Sequence, residues 1–191
     1  MEESDEAAIA RVRLGDLDAF RLLVDRHGRS IHRLAYRITC SQEDAQDMTQ
    51  EAFIKAYRRL DKFDSRASFA TWLRCIASNC CLDLLRSRRR RLETAFSEGE
   101  SFPSRAPGPD RVAQSTDLSR DVLATLRTLS PRERAAFILR HFEGLSIAEI
   151  GPALGLSRNG TKQSIFRAVR KLRRALGPHV GSFTGAPEPM P

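Results

Sequence analysis

The sequence predicts an all-α protein: two small helical domains joined by a flexible linker, the second containing a helix-turn-helix. Three observations carry that prediction. Apolar residues recur at helical spacing through most of the chain, and no strand-period stretch competes with them. Several helix starts are marked by a Ser followed three residues later by an acid. A segment rich in Pro and Gly separates two basic parts of the 191 residues.

Residues 1–92 carry 18 basic and 14 acidic side chains, net +4. Residues 93–109 hold Gly99, Pro103, Pro107, Gly108 and Pro109 and are net −2, which predicts a pliable linker. Residues 110–177 carry 13 basic and 6 acidic side chains, net +7, and 178–191 read as a disordered Gly- and Pro-rich tail.

In the first domain Phe20, Val24, Ile31, Leu34 and Ile38 mark a helix, with a break expected near Gly28. Ser41 and Asp44 form a capping box with the shorter acid. They open a helix to about Leu60, with Ala45, Met48, Ala52, Ala56 and Leu60 as its apolar stripe. A polar loop follows, Phe63-Asp64-Ser65-Arg66-Ala67. A third helix, from about Ser68 to Arg89, buries Phe69, Trp72, Leu73, Ile76, Cys80 and Leu84.

The second domain is punctuated more sharply. Ser130-Pro131-Arg132-Glu133 combines an N-cap, a Pro at the first helical position and the reciprocating Glu. Ser146 and Glu149 repeat the box. Gly155-Leu156-Ser157 then makes a tight turn, with Ser157 capping a basic helix to about Leu176. Gly151-Pro152 falls inside the preceding helix, where an interior Pro loses a backbone bond and is expected to kink it.

The net charge of +8 favours an acidic partner, and nucleic acid is the commonest. The excess is almost all Arg. That suits bidentate phosphate contacts, but a GC-rich genome produces the same bias. The acidic opening, Met1-Glu2-Glu3-Ser4-Asp5-Glu6, is unlike a signal peptide, and no apolar run approaches membrane-spanning length. A cytoplasmic protein without membrane insertion is expected. Cys40, Cys75, Cys80 and Cys81 lack metal-ligand spacing and read as small apolar residues on helices. No metal, no cofactor and no catalytic residue is expected. The His are scattered, and no nucleophile has a nearby base.

Three segments carry function. A helix from Ser146, a turn at Gly155 and a helix from Ser157 form the pattern of a DNA-binding helix-turn-helix, held together by Ile147, Ile150, Leu154 and Leu156. Seven Lys/Arg and no acid lie between Ser157 and Leu176. Such one-signed charge is costly unless phosphates offset the repulsion. Arg158, Asn159, Thr161, Lys162 and Gln163 are placed to reach base edges. The second segment, Arg86-Ser87-Arg88-Arg89-Arg90-Arg91, ends a helix that also carries Trp72 and Asn79. The third is the face formed by Asp47, Gln50, Glu51, Ile54 and Arg58, either a solvated surface or a protein-binding patch.

Asp47-Met48-Thr49-Gln50-Glu51-Ala52-Phe53, Phe69-Ala70-Thr71-Trp72-Leu73, Asn79 with the Arg run, Leu129-Ser130-Pro131-Arg132-Glu133-Arg134 and Glu143-Gly144-Leu145-Ser146 together resemble extracytoplasmic-function sigma factors of bacterial RNA polymerase, over roughly residues 14–177. The resemblance implies that residues 1–92 are sigma region 2, residues 110–177 are region 4, and the partners are core RNA polymerase, promoter DNA and an anti-sigma factor. It implies polymerase binding for Asp47, Gln50 and Glu51. For the minus-ten element it implies capture of an unstacked base by the loop of Phe63, Asp64, Ser65, Arg66 and Ser68, with Trp72, Asn79, Arg86, Arg88 and Arg89 beside it. For the minus-thirty-five element it implies Ser157, Arg158, Asn159, Thr161, Lys162, Gln163, Arg167 and Arg170. The recognition helix departs from the family's pattern at its start, where Ser164 replaces a common basic residue. A helix-turn-helix regulator acting without polymerase would explain Ser146–Leu176 equally well, but leaves the acidic patch, the loop and the Arg-ended helix without a task.

Overall fold

The computed structural model describes residues 3–97 and 120–180. Helices α1 (Asp5–Arg13), α2 (Leu17–Thr39), α3 (Gln42–Arg58) and α4 (Phe69–Ser97) form one bundle, with a single 3-10 turn at Leu60–Lys62 between the last two. Helices α5 (Arg120–Arg127), α6 (Pro131–His141), α7 (Ile147–Leu154) and α8 (Arg158–Val180) form a second. No helix among the described residues is long and apolar enough to cross a membrane.

Local chemistry sets most of the boundaries. Ser4 Oγ accepts the Ala7 N–H to start α1, and Asp16 accepts those of Asp18 and Ala19 to start α2. Both capping boxes of the second bundle are complete: Ser130 with Glu133, and Ser146 with Glu149. The box at Ser41 is only half made. Ser41 Oγ accepts the Asp44 N–H at 3.3 Å, but the Asp44 carboxylate turns inward to the Arg88 guanidinium.

Other expectations are also corrected. Helix α1 was not anticipated. Helix α2 runs through Gly28 without a break. Helix α4 continues past Arg89 to Ser97, so residues 93–97 of the expected linker are helical. Residues 98–109 of that linker and 181–191 of the expected tail lie outside the described residues. Cys40 is not on a helix: it ends α2 in the left-handed conformation, φ 57°, a position glycine usually takes. Helix α7 continues through Pro152 to Leu154. Pro152 is its sixth residue, so the only helical bond lost is the one to the Ala148 carbonyl.

Leu23, Ile31, Leu34, Ile38, Phe69, Leu73 and Leu82 fill the first core; Leu126, Ile138, Leu139, Ile150 and Leu154 fill the second. Full burial of each such side chain contributes about 1.5–3 kcal/mol. The bundles also meet: α2 and α4 pack on α6, and α4 on α7. Arginines dominate the polar part of that contact. Arg134, buried, donates to the Ile38 carbonyl at 2.8 Å and to Cys40 Sγ at 3.1 Å, and Arg127 donates to the Cys40 carbonyl at 2.9 Å. These donors satisfy the C-terminal end of α2 from the other bundle. Glu143, only 8% exposed, bridges back to Arg37 at 3.4 Å and Arg74 at 2.8 Å.

Candidate nucleic-acid and protein interfaces

On α3 the buried residues are Asp44, Ala45, Ala52, Phe53 and Ala56. The opposite face presents Asp47 and Gln50, exposed, and Glu51, half-buried and paired with Lys55 at 3.3 Å. Ile54 and Tyr57 remain 45% and 43% exposed beside them. Arg58 is exposed on the same face, so the surface carries both signs of charge beside two uncovered apolar side chains. Tyr57 was not singled out from the sequence. It is the polar-tipped aromatic of the set, and its ring packs edge-on against Phe20, 5.1 Å away.

The loop after the 3-10 turn divides its residues between two tasks. Phe63, expected on the nucleic-acid surface, is 5% exposed and buried against Phe69 and Trp72, with ring centroids 5.9 and 5.2 Å away. It anchors the loop instead of presenting it. Asp64, Ser65, Arg66 and Ser68 are exposed. Asp64 Oδ1 accepts the Arg66 N–H at 3.2 Å, and Ser65 adopts the left-handed conformation, φ 58°. Ser68 Oγ accepts the Thr71 N–H at 3.2 Å and so caps α4.

Trp72 is both core and surface: half-buried, with its ring against Phe63 and Phe69. Asn79, two turns on, is exposed along the same side of α4. The Arg run is largely engaged already. Arg86 pairs with Asp83 at 3.0 Å and Arg89 with Glu93 at 2.7 Å. Arg88 clamps the buried Asp44 carboxylate with both Nη atoms, which makes it a fold-holding residue rather than an open phosphate ligand.

The helix-turn-helix is built on a close approach. A Cβ on Gly151 would meet the Leu156 carbonyl oxygen at 3.0 Å and Thr161 Oγ1 at 3.3 Å, so Gly lets α7 settle onto the turn and α8 without displacing either group. Gly155, φ 62°, makes the left-handed turn, and Ser157 Oγ accepts the Gly160 N–H at 3.1 Å. Thr161, expected to reach base edges, is fully buried and donates its hydroxyl to the Ser157 carbonyl at 3.0 Å. Ser164 is buried too. Ser157, Arg158, Asn159, Lys162, Gln163, Arg167 and Arg170 are exposed. Lys171 is drawn inward to Glu133 at 2.7 Å, with Arg167 3.9 Å from the same carboxylate. Phe166 was missed by sequence reading. It is 65% exposed among the cations, with Arg170 5.9 Å above its ring. Together with His141, Val169 and Arg173 it lines a groove of about 620 Å³.

Cys80 and Cys81 are buried and Cys75 partly so. Burial raises all three thiols, Cys75 to about 11, with Glu149 adding to the effect there. These are the properties of packing residues rather than nucleophiles. No cluster among the described residues brings together enough His, Cys, Asp or Glu to hold a metal ion.

Comparison with known proteins extends what the geometry shows. The family model for Sigma-70 region 2 matches residues 23–91, and that for Sigma-70 region 4 matches residues 119–172. The chain is 34% identical to the ECF RNA polymerase sigma factor SigW of Bacillus subtilis, over 92% of this chain and 98% of that protein. It is 37% identical to the ECF RNA polymerase sigma factor SigE of Mycolicibacterium smegmatis, over 82% of this chain but only 61% of that protein. Among solved structures it is similar to the sigma factor RpoE of Bartonella quintana in complex with the anti-sigma factor NepR. That match has a TM-score of 0.65 and 25% identity, and it covers 84% of this chain and 98% of that one. Two region matches in this order, together with near full-length similarity to SigW, show that the chain belongs to the ECF sigma factor family of the sigma-70 group.

Proposed function

We propose that the chain is a dissociable subunit that directs core RNA polymerase to promoters in the cytoplasm, with no catalytic chemistry of its own. One observation carries this reading most directly. The exposed loop and Trp72–Asn79 side of α4 lie on one bundle, and the exposed cationic face of α8 lies on the other. A single regulator needs only the second surface; a promoter-reading subunit needs both.

The division of labour follows from what each surface offers. The α3 patch of Asp47, Gln50 and Glu51 binds core polymerase. Asp64, Ser65, Arg66 and Ser68, with Trp72 and Asn79 alongside, receive an unstacked base of the minus-ten element. The exposed cations and amides of α8 read the minus-thirty-five element in a major groove. Base extrusion costs a few kcal/mol, which contacts from polymerase and both bundles must offset. An anti-sigma factor is the inhibitory partner, in line with the complex that the Bartonella quintana sigma factor forms.

The test is reconstituted transcription. Purified chain with core polymerase is expected to initiate at a promoter that core alone does not use. Replacing Asp47, Gln50 and Glu51 together with Ala should abolish core capture while leaving stability within about 0.5 kcal/mol, as for other surface sites. Tight promoter binding by the chain without core polymerase would favour the regulator reading instead.

A further inference from the structure

Helix α1 lies wholly before residue 23, where the region 2 match begins, yet it reaches both ends of the exposed loop. At the first end Arg13, in the last turn of α1, donates from Nη2 to the Leu60 carbonyl at 3.0 Å and also to the Phe63 carbonyl. Those carbonyls frame the 3-10 turn from which the loop departs. At the second end Phe69 opens α4, and its ring packs on that of His27, 5.4 Å away. His27 Nε2 is in turn 2.9 Å from Asp5 Oδ2, in the first turn of α1. Between these two anchored ends Asp64, Ser65 and Arg66 are exposed, with Ser65 in a backbone conformation that non-glycine residues seldom adopt.

A loop that must hold an extruded base works best when its ends are fixed beforehand, because ordering it at the moment of binding costs affinity. We infer that Arg13 is a positioning residue for base capture: its guanidinium holds the Leu60 and Phe63 carbonyls so that the Asp64–Ser68 loop is preorganised. Both bonds leave the single Nη2 nitrogen, each of its two N–H groups serving one carbonyl; the rigid guanidinium plane fixes the directions of those donors, whereas a Lys ammonium turns freely on a flexible stem. The inference rests on the reading that this loop takes a base.

The experiment uses holoenzyme assembled from the full chain and core polymerase. The probes are fork-junction templates from a promoter that the wild-type holoenzyme opens, each with one abasic site in the single-stranded minus-ten segment. In the wild type, one abasic position should weaken binding well beyond its neighbours; that position is the captured base. R13A should weaken binding to the intact template about tenfold, the lower end of what one hydrogen bond to a charged group contributes. It should add almost nothing on the template lacking the captured base, and R13K should recover part of the loss. Equal weakening by R13A on intact and abasic templates would mean that Arg13 only supports the fold. Wild-type affinity of R13A on every template would remove its role outright. Should R13A fail to fold, R13K runs through the same cycle with a smaller penalty. If no abasic position weakens the wild type, base capture itself falls, and the inference with it.

Discussion

The two bundles handle their positive charge in opposite ways. On α4, Arg86, Arg88 and Arg89 each meet a carboxylate, from Asp83, Asp44 and Glu93. On α8, Arg158, Lys162, Arg170, Arg173 and Arg174 have no carboxylate partner within ion-pair distance among the described residues; only Arg167 and Lys171 share Glu133. Three of the five arginines that end α4 are therefore paired, and Arg88 is committed to a buried carboxylate, whereas most of the charge on α8 is held in reserve. A row of cations without carboxylate partners stores repulsion, which a phosphate backbone relieves. A run of five Arg thus says less about nucleic acid than five cations spread along a helix with no acid between them.

The sharpest way to break this comparison is to reverse one reserved charge. Lys162→Glu should weaken binding to the upstream promoter element by about 2–3 kcal/mol, on the scale of a good base contact plus a phosphate repulsion. Core polymerase binding, measured by pull-down, should be unchanged. Full promoter activity in this variant would place the recognition surface elsewhere. If Lys162 meets only phosphate, the loss will be uniform across sequences and the salt slope shallower by about one unit.

Removing a consumed charge should act on stability instead. Asp44 is 3% exposed, so Arg88→Ala strands a buried carboxylate. Losing one partner of a buried pair costs about 3–5 kcal/mol. Because Arg88 is itself 51% exposed, solvent screening reduces that to about 2 kcal/mol. Chemical denaturation of the variant should show this loss, while a matching Arg158→Ala should stay within about 0.5 kcal/mol. A stable Arg88→Ala chain that binds promoter DNA poorly would assign the residue to the nucleic-acid surface after all.

How far these differences were legible depends on how local their causes are. The boxes at Ser130 and Ser146 and the turn at Gly155 are set within a few residues, so the helix-turn-helix could be read directly. Asp44 had two possible partners: its own N-cap three residues back, and an Arg 44 positions ahead. Sequence spacing shows only the first. Phe63 and Thr161 sit among polar neighbours, and nothing local reveals that one ring and one hydroxyl turn inward. Helix α1 was hidden for another reason. It buries only Ala8, Ile9 and Val12, too short a stripe to stand out, and its acidic start was read for what it excluded rather than for the cap at Ser4.

The contact between the bundles allows a third test. Helices α4 and α5 are joined through residues 98–119, and 22 residues can span about 70–80 Å when fully extended. The covalent connection therefore allows the docked arrangement to open, as simultaneous reading of two promoter elements a couple of helical turns apart requires. Glu143 holds Arg37 and Arg74 across the contact, so Glu143→Ala should shift the balance towards separated bundles by about 2 kcal/mol, less than the loss for a fully buried pair because separation returns these groups to water. Labels near Lys55 and Arg170 would report it. An unchanged distance distribution in the variant would leave the apolar packing of α4 on α7 as the deciding contact. A distribution in the wild type that does not change when core polymerase and promoter are added would end the idea of two arrangements.

The smallest effect concerns acid, and it falls on the helix starts. Burial pushes the Glu133 carboxyl up, but hydrogen bonds from Lys171 and from the Ser130 N–H more than offset this and hold it below its ordinary value of 4.5. Hydrogen bonds from Ser146 depress Glu149 in the same way. A carboxyl whose folded value is depressed adds stability that is fully present above its unfolded value and is lost as pH falls through the folded one. The starts of α6 and α7 should therefore loosen as pH drops below 4.5, with no change between pH 5 and 8 from these two groups. Gln can fill the same place in a capping box without titrating. Glu133→Gln and Glu149→Gln should thus be slightly less stable than wild type at neutral pH, yet lose less on acidification. Circular dichroism during denaturation at pH 7, 5 and 3.5 would follow this. If variant and wild-type stabilities fall in parallel below pH 4.5, the acid sensitivity belongs to other carboxylates, and the boxes contribute only their geometry.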